Sequence, residues 1–315
     1  IGRTGSISLP QFWARRARRL LPASALVIVV TLLAARWMLP PLGLRDVTTD
    51  GFASAGFVVN FVFAGRLGDY FGGQLGELQP SPFLHFWSLA VEEQFYVLWP
   101  LLLFLVARRS RQVQRLALVV ILALAAVSLI ISIWWTRTHP TWAFYLLPPR
   151  MVELLAGAAV AVAGHAFTAV PARYRAVLGW WGIAAIAVAV VTYDGSTAFP
   201  GTAALLPVLG TVLVLVAGGP GSDPVGPTRL LAHPVGQWIG ARSYAIYLWH
   251  WPALVLVDAR FGPLTTWQRV LVAAASVGVA ALSTELLETP VRHHPWLAAR
   301  PARSLALGAA LCALG

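Results

Sequence analysis

The sequence predicts an all-α polytopic integral membrane protein, a bundle of about eight complete transmembrane helices followed by the start of a ninth. Of its 315 residues, 58% are hydrophobic and 11% are charged, and the mean hydropathy is +0.72. A soluble domain carries about 25% charged residues, because its surface needs polar cover. This composition excludes a soluble globular enzyme, a disordered chain and a fibrous repeat. The single cysteine excludes a disulfide framework and a cysteine-ligated metal site.

The apolar runs that predict the helices have close to the length of about 20 residues that crosses a bilayer. The eight runs lie at about 20–39, 86–107, 116–136, 146–165, 177–193, 200–218, 238–257 and 267–287. A ninth begins near Ser304 and reaches the last residue. Because this run is shorter than a full span, and because the first residue is Ile1, we expect the sequence to be a fragment cut at both ends.

The arginines predict the orientation of these spans. The net charge is +11, and all 23 basic residues are arginines placed between apolar runs, which argues against a nucleic-acid partner. Sixteen of them fall before 20 and within 108–115, 166–176, 219–242 and 288–303, so these segments are predicted to be cytoplasmic. The prediction requires that the short apolar window 51–65 does not cross, which makes 40–85 an outward-facing loop with its own Gly-rich and Pro-rich structure.

Polar residues inside an apolar segment indicate a partner or a water-filled cavity, since an ionisable group there costs about 2.5–3.5 kcal/mol on insertion scales. In FLHFWSLAVEEQFYVLWP, residues 83–100, a helix would bring His85, Ser88, Glu92 and Tyr96 near one face. Glu93 would point about 100° away from that face. A carboxylate here can orient a hydroxyl, act as a base or neutralise an arginine, and the structural alternative is a buried ion pair.

Two further segments carry polar groups at helical spacing. Arg150 and Glu153 in PPRMVELLAG are three residues apart and predict either an ion pair or a site lining. In GARSYAIYLWHWP, Ser243, Tyr247 and His250 share one helical face. We interpret His250 as a residue that lines the site or is hydrogen-bonded in the core rather than as a catalyst.

The basic segment FWARRARRLLPA, residues 12–23, contains Arg15, Arg16, Arg18 and Arg19 just before an apolar run. It predicts either an anchor on anionic lipid or a docking site for a phosphorylated cytoplasmic donor, since the planar guanidinium of arginine binds phosphate well. The sequence has no phosphate-binding GxxxxGK[ST] loop, no GxGxxG, no HExxH and no GxSxG motif.

Several motifs together resemble one family. The segment SPFLHFWSLAVEEQFYVLWP, with its WSLxxExxFY core from Trp87 to Tyr96, resembles the signature of the membrane-bound acyltransferase family 3. ISLPQFWARRARRLLPA, RMVELLAG, IGARSYAIYLWHWP and LLETPVR resemble other elements of that family in the same order. The resemblance extends from about residue 3 to 293.

This resemblance implies a function. Family members move an acyl group, usually acetyl, from acyl-CoA on the cytoplasmic side to a hydroxyl of a cell-envelope glycan or glycoside. The expected co-substrate is acetyl-CoA or another acyl-CoA, with no permanently bound cofactor and no metal. The expected partners are the lipid bilayer, acyl-CoA and a saccharide acceptor, and the expected location is a bacterial-type plasma membrane. The oligomeric state stays open.

The resemblance also implies an architecture of ten spans, or of eleven spans with an extracytoplasmic SGNH-type domain. We therefore divide the sequence into an acyltransferase family 3-like domain over 1–293, with its first spans missing, and a linker with the start of a further span over 294–315. The family's best-known catalytic pair is an Arg and a His eleven residues apart in the first span, upstream of Ile1. No residue here is assigned those roles, and the fragment by itself is expected to be inactive.

The site residues are assigned on these grounds. Glu92 is expected to orient or activate the acceptor hydroxyl. The substrate-binding candidates are His85, Trp87, Ser88, Tyr96, Arg150, Glu153, Tyr247 and His250, and the acyl-CoA-binding candidates are Arg15, Arg16, Arg18 and Arg19. The alternative is a transporter or flippase that moves a glycan or lipid-linked precursor without covalent chemistry. A third possibility is a membrane scaffold that presents another domain.

Overall fold

The computed structural model describes residues 8–69, 80–109, 112–167, 169–219 and 224–314, and the regular elements in these ranges are all helical. The chain divides into two compact units, Ile1–Pro100 with Ala241–Gly315 and Leu101–Gly240. The helices are α1 (Leu9–Met38), α2 (Pro41–Ala55), α3 (Val59–Asp69), α4 (Phe86–Arg109), α5 (Val113–Thr138), α6 (Pro140–Tyr145), α7 (Leu147–Phe167), α8 (Ala172–Thr192), α9 (Leu205–Ala217), α10 (Pro227–Ala232), α11 (Pro234–Phe261), α12 (Thr266–Ser283), α13 (Thr289–His293), α14 (Pro295–Ala299) and α15 (Pro301–Leu314).

The predicted all-α polytopic membrane fold is confirmed. Six helical stretches in the described ranges are long and apolar enough to cross a membrane, namely Leu9–Met38, Phe86–Val106, Val113–Thr138, Pro140–Gly164, Ala172–Thr192 and Thr266–Ala299. Each of them overlaps a predicted span. The predicted spans at 200–218 and 238–257 are the 13-residue helix α9 and the 28-residue helix α11. Helix α9 is short because Pro200–Ala204 form turns, and α11 carries polar side chains along its length.

Large apolar side chains lie on the outside of these helices. Leu33 on α1 is 61% exposed, Ile130 on α5 is 66% exposed and Val191 on α8 is 83% exposed. Such a surface is incompatible with water over most of the helix length and suits contact with lipid tails, which need no polar cover.

In the first unit, α1 packs against the C-terminal helix α15. Arg18 is buried, and its Nη1 donates to Ser304 Oγ at 2.6 Å and to the carbonyl oxygen of Leu297 at 3.3 Å. The helices come close because position 308 is glycine, where an added Cβ would lie 2.7 Å from Leu21 Cδ1. Arg18 therefore ties α1 to the segment that follows α13.

The loop predicted over 40–85 is largely helical where it is described. Helices α2 and α3 have 15 and 11 residues, each shorter than a span, and they are separated by a break around Phe57. Asp50 on α2 is 1% exposed and pairs with Arg66 on α3 at 3.0 Å. Burial raises the pKa of the Asp50 carboxyl, and Arg66 opposes that shift. Most of the Gly-rich and Pro-rich stretch, residues 70–79, lies outside the described residues.

In the second unit, α8 and α9 cross closely. Gly182 and Gly210 face one another, and an added Cβ on Gly182 would lie 2.5 Å from the carbonyl oxygen of Gly210. Small residues of this kind let two helix backbones approach, as is common between helices in membranes. Arg175 at the start of α8 is buried and donates from Nη1 to the carbonyl oxygen of Ala217 at 3.3 Å, where α9 ends.

One turn of π-helix, Thr284–Glu288, joins α12 to α13. Glu285 in this turn forms an ion pair with Arg242 on α11, and the hydroxyl of Thr284 lies 3.3 Å from the Glu288 carboxylate. The turn thus fixes the direction in which the next residues, including Arg292, leave α12.

Candidate functional site

Helices α1 and α4 run antiparallel across the site. The Trp13 indole Nε1 donates to the carbonyl oxygen of Tyr96 at 3.2 Å, and Arg16, one turn further along α1, reaches Glu93, nearly one turn back along α4. Helix α11 packs beside them, since the Tyr244 hydroxyl donates to the carbonyl oxygen of Leu20 at 3.2 Å. Three helices therefore present side chains to one space.

Arg16 is the centre of an ionic cluster in that space. Its Nε lies 2.9 Å from both carboxylate oxygens of Glu93, and its Nη2 donates to Glu93 Oε1 at 2.7 Å. The same Nη2 lies 3.5 Å from Glu92 Oε1, and the guanidinium Cζ lies 3.2 Å from the centre of the Tyr96 ring. Arg16 holds Glu93 on two oxygens but makes a single, longer contact with Glu92, which also interacts with the Tyr96 hydroxyl. The Glu92 side chain is 42% exposed and that of Glu93 is 22% exposed.

This space is a cavity of about 460 Å³. Its walls combine charged, hydroxyl and apolar groups: Arg16, Arg19, Leu20, Phe57, Ser88, Leu89, Glu92, Glu93, Tyr96, Ser243, Tyr244 and Tyr247. A cavity of this size with a few convergent polar groups is typical of a small-molecule or cofactor site.

A hydroxyl pair lines the same cavity. Ser88 Oγ lies 2.6 Å from the Tyr247 hydroxyl, which donates to the carbonyl oxygen of His85 at 2.8 Å. Because that carbonyl can only accept, the Tyr247 proton points to it, and Ser88 Oγ donates to the Tyr247 oxygen or to the same carbonyl at 3.2 Å. The pair fixes α4 to α11 at the edge of the cavity.

A second cavity of about 440 Å³ adjoins the first. Arg16 and Arg19 line both. The residues that line the second cavity are Phe12, Arg15, Arg16, Arg18, Arg19, Arg292 and His293, five of them arginines. Glu288 lies within electrostatic range of Arg19 and Arg292. Arginine-rich cavities of this kind bind phosphate groups through bidentate, charge-assisted hydrogen bonds.

Six of the predicted site residues meet at the first cavity, namely Arg16, Arg19, Ser88, Glu92, Tyr96 and Tyr247, and Arg15 and Arg18 join the second. His85, Trp87 and His250 line neither. His85 is 6% exposed, and its Nε2 donates to the carbonyl oxygen of Leu248 at 3.2 Å. The ring of His250 lies 5.9 Å from that of His85, and its Nδ1 donates to the carbonyl oxygen of Tyr247 at 2.7 Å.

Arg150 and Glu153 belong to the second unit and pair with each other at 2.9 Å. Rings of Phe199 and Phe144 lie 5.0 and 5.7 Å from the Arg150 Cζ, at distances that permit cation–π attraction. Of the two alternatives that the spacing predicts, an ion pair and a site lining, the ion pair is present in this unit.

Nine residues that sequence reasoning did not assign to the site also line the cavities: Phe12, Leu20, Phe57, Leu89, Glu93, Ser243, Tyr244, Arg292 and His293. The nearest signal for Glu93 was its position next to Glu92, and for Arg292 it was the motif LLETPVR. Nothing in the sequence around Phe57 indicated that it lines a cavity, because this depends on where the tertiary structure places the break between α2 and α3.

Comparisons with known proteins identify the family of the chain. Residues 2–285 match the model of a family described as an acyltransferase domain. The chain is 31% identical to the peptidoglycan O-acetyltransferase OatA of Listeria monocytogenes, over 93% of this chain and 48% of that protein. It is 26% identical to the O-acetyltransferase OatA of Staphylococcus aureus, over 92% of this chain and 48% of that protein. The chain thus spans about half the length of these curated relatives.

No solved structure matches the chain. The family match covers nine-tenths of the sequence and contains both cavities except for the residues after 285. The chain therefore belongs to acyltransferase family 3, the membrane-bound acyltransferases.

Proposed function

We propose that this protein is a membrane O-acyltransferase that moves an acyl group, most simply acetyl, from acyl-CoA to a hydroxyl of a cell-envelope glycan or glycoside. The observation that carries the proposal is the pair of adjoining cavities that share Arg16 and Arg19. One is built for phosphate and the other for a hydroxyl and an acyl group. The names of the relatives support an acetyl group and a glycan of the cell wall.

The donor occupies the basic cavity. Coenzyme A carries several phosphate charges, and Arg15, Arg19, Arg292 and His293 would bind them at the predicted cytoplasmic side. Arg18 contributes charge to the cavity while its Nη1 holds Ser304. The pantetheine arm would then pass Arg16 and bring the thioester into the first cavity.

The proposed transfer exchanges one bond of the acyl carbon for another. The acceptor oxygen bonds to the acyl carbon, the carbon–sulfur bond breaks, and the hydroxyl proton is released while the coenzyme A thiolate takes one up. Glu92 is the more exposed of the two carboxylates and the one that Arg16 holds less closely, so it would accept a hydrogen bond from the acceptor hydroxyl and orient it. Glu93 is less suited to that role, because Arg16 bonds both of its oxygens and its side chain is less exposed.

The other assigned residues support the site. Ser88, Tyr96 and Tyr247 would contact substrate directly, since they line the cavity. His85 and His250 would hold the α4–α11 contact behind it, and Trp87 stays a substrate-binding proposal. Arg150 and Glu153, in the second unit, also stay substrate-binding proposals.

The test uses the protein encoded by the complete gene, purified in nanodiscs. It is incubated with radiolabelled acetyl-CoA and a cell-envelope glycan fraction, and label is followed on glycan and on protein. Label is expected on glycan with the wild type and is expected to be lost with Glu92→Gln. Asp194→Asn is the matched control, because it changes an exposed carboxylate in a turn of the second unit.

Absence of transfer from acetyl-CoA and from longer acyl-CoA donors, with any glycan, would contradict the proposal. It would favour the transporter, which leaves its substrate chemically unchanged. Flux of an unmodified glycolipid across vesicles would then be measured.

A further inference from the structure

The break between α2 and α3 holds a bulky side chain in an unfavourable backbone conformation. Phe57 has φ of +53°, in the left-handed region that glycine adopts without cost and that phenylalanine rarely adopts. Yet the glycine of this turn is the preceding residue, Gly56, whose own φ is −83°. Strain of this kind persists only where the surrounding structure enforces it, and it is concentrated at functional sites.

Helix α4 enforces this conformation from beside the ionic cluster. Gln94, the residue after Glu93, donates from Nε2 to the carbonyl oxygen of Phe57 at 3.1 Å. The same Nε2 donates to Asn60 Oδ1 at 2.9 Å, and Asn60 is fully buried. Within the turn, the Phe57 amide donates to the carbonyl oxygen of Ser54 at 3.1 Å. The turn is therefore fixed to the helix that carries the proposed acceptor-orienting carboxylate.

Phe57, held in this turn, lines the first cavity. Three residues that line this cavity, Leu20, Phe57 and Leu89, have aliphatic or phenyl side chains, and the remaining lining residues carry a charge or a hydroxyl. An acyl chain needs apolar surface, whereas an acceptor hydroxyl and a thioester need polar groups. These three side chains supply the apolar surface that an acyl chain would contact.

From this arrangement we propose that Phe57 limits the length of the acyl group that the site accepts, and that Gln94 and Asn60 are positioning residues for it. The inference rests on the proposed acyl-transfer function and adds the selectivity of the donor. Among the three apolar residues, Phe57 has the largest side chain, and Gln94 holds its backbone from α4. Because its backbone is held in this way, the ring is expected to stay in the cavity wall and to favour a short acyl group.

The test measures which acyl group is transferred from an equimolar mixture of acetyl-, propionyl-, butyryl- and hexanoyl-CoA, with the ester products identified by mass spectrometry. The wild type is expected to transfer acetyl and to discriminate increasingly against the longer chains. Phe57→Ala is expected to raise butyryl transfer relative to acetyl by about 10-fold or more, since one methylene changes selectivity by about 10–200-fold in a fitted pocket. Phe52→Ala is the matched control, because Phe52 is on α2 and 61% exposed.

Two further variants separate the side chain from the backbone. Phe57→Gly removes the ring and also relieves the strained φ, so it should broaden acyl selectivity as Phe57→Ala does while being at least as thermally stable as Phe57→Ala. Gln94→Leu keeps the ring but removes the hydrogen bond to the Phe57 carbonyl. It should broaden selectivity to an intermediate degree, an effect that a purely structural role of Gln94 would not produce.

The outcomes separate this inference from the function on which it rests. If the wild type transfers acetyl and the Phe57→Ala and Phe57→Gly variants keep its ratio of butyryl to acetyl, the assignment of Phe57 is wrong and acyl transfer stands. If the wild type transfers no acyl group from any donor, the proposed function fails and this inference fails with it.

Discussion

Arg16 on α1 and Glu93 on α4 form a bidentate ion pair in which Nε and Nη2 contact the carboxylate at 2.7–2.9 Å. The guanidinium also lies against the ring of Tyr96. Arginine can make both contacts because its charge is spread over a planar group. The pair joins two helices at the point where the basic cavity adjoins the cavity that contains Glu92, so it supports both proposed substrates without contributing a free carboxylate.

The first prediction concerns this pair. Removing one partner of a buried ion pair costs about 3–5 kcal/mol in soluble proteins, and the partial exposure of both groups here should reduce that cost. Arg16→Met and Glu93→Met should each lower the thermal stability of the protein in detergent. The double variant should lose less than the sum of the two, because no charge is left unpaired. Strict additivity would contradict the coupling.

The second prediction separates the two adjacent glutamates. Glu92→Gln should leave the unfolding temperature unchanged and reduce acyl transfer by about 100-fold or more, as expected for loss of a general acid–base or orienting group. Glu93→Gln should lower the unfolding temperature, because the neutral amide leaves Arg16 without its charge partner. Both are measured on the same nanodisc preparation by light scattering on heating and by acetyl transfer. Equal effects of the two variants on stability would contradict the different roles.

Part of this site follows from helical periodicity and part does not. Spacings of four residues place Ser88, Glu92 and Tyr96 together, and the structure confirms that all three line one cavity. The position of His85 would suit the same helical face, but His85 precedes the first residue of α4. Its side chain therefore starts from a turn and is buried against α11. Periodicity places Glu93 about 100° from that face, and Glu93 nevertheless lines the same cavity, because Arg16 on α1 also lines it and bonds Glu93.

Contacts between segments that are distant in the sequence could not be predicted either, because helical periodicity says nothing about which helices are neighbours. Arg16 and Glu93 are 77 positions apart, and nothing in either local sequence specifies which helix faces them. The apolar runs predicted where helices exist, because burial in lipid depends on composition. Which helices are neighbours depends on close packing of particular side chains, and a single sequence does not record that.

The third prediction separates the arginines around the basic cavity. Arg15→Gln and Arg292→Gln should each raise the KM for acetyl-CoA by about 10-fold or more with little change in kcat, as expected when a charge-assisted hydrogen bond of about 1.5–3 kcal/mol to a phosphate is removed. The effect should decrease at high salt, because salt screens the exposed charges.

Arg18→Gln should behave differently from these variants. Arg18 donates to Ser304 and to Leu297 O, so its loss should lower thermal stability more than it raises the KM. Ser304→Ala is its matched control and should reproduce part of the loss of stability with no effect on the KM. An unchanged KM in the Arg15 and Arg292 variants would remove the phosphate-binding role from this cavity.

The last prediction concerns the crossing of α8 and α9. A methyl group at position 182 would lie 2.5 Å from the carbonyl oxygen of Gly210, a distance that backbone atoms cannot accommodate without moving the helices apart. Gly182→Ala should therefore destabilise the second unit by about 1–3 kcal/mol, the usual cost of overpacking, although alanine favours the helix intrinsically by up to about 1 kcal/mol.

Gly65→Ala on α3 provides the contrast, since an added Cβ there meets no described atom within 4 Å, and it should be neutral or stabilising. Unfolding temperatures measured in one detergent compare the two variants. A Gly182→Ala protein as stable as the wild type would mean that α8 and α9 do not cross at these glycines, because helix propensity alone cannot offset the loss of that close approach.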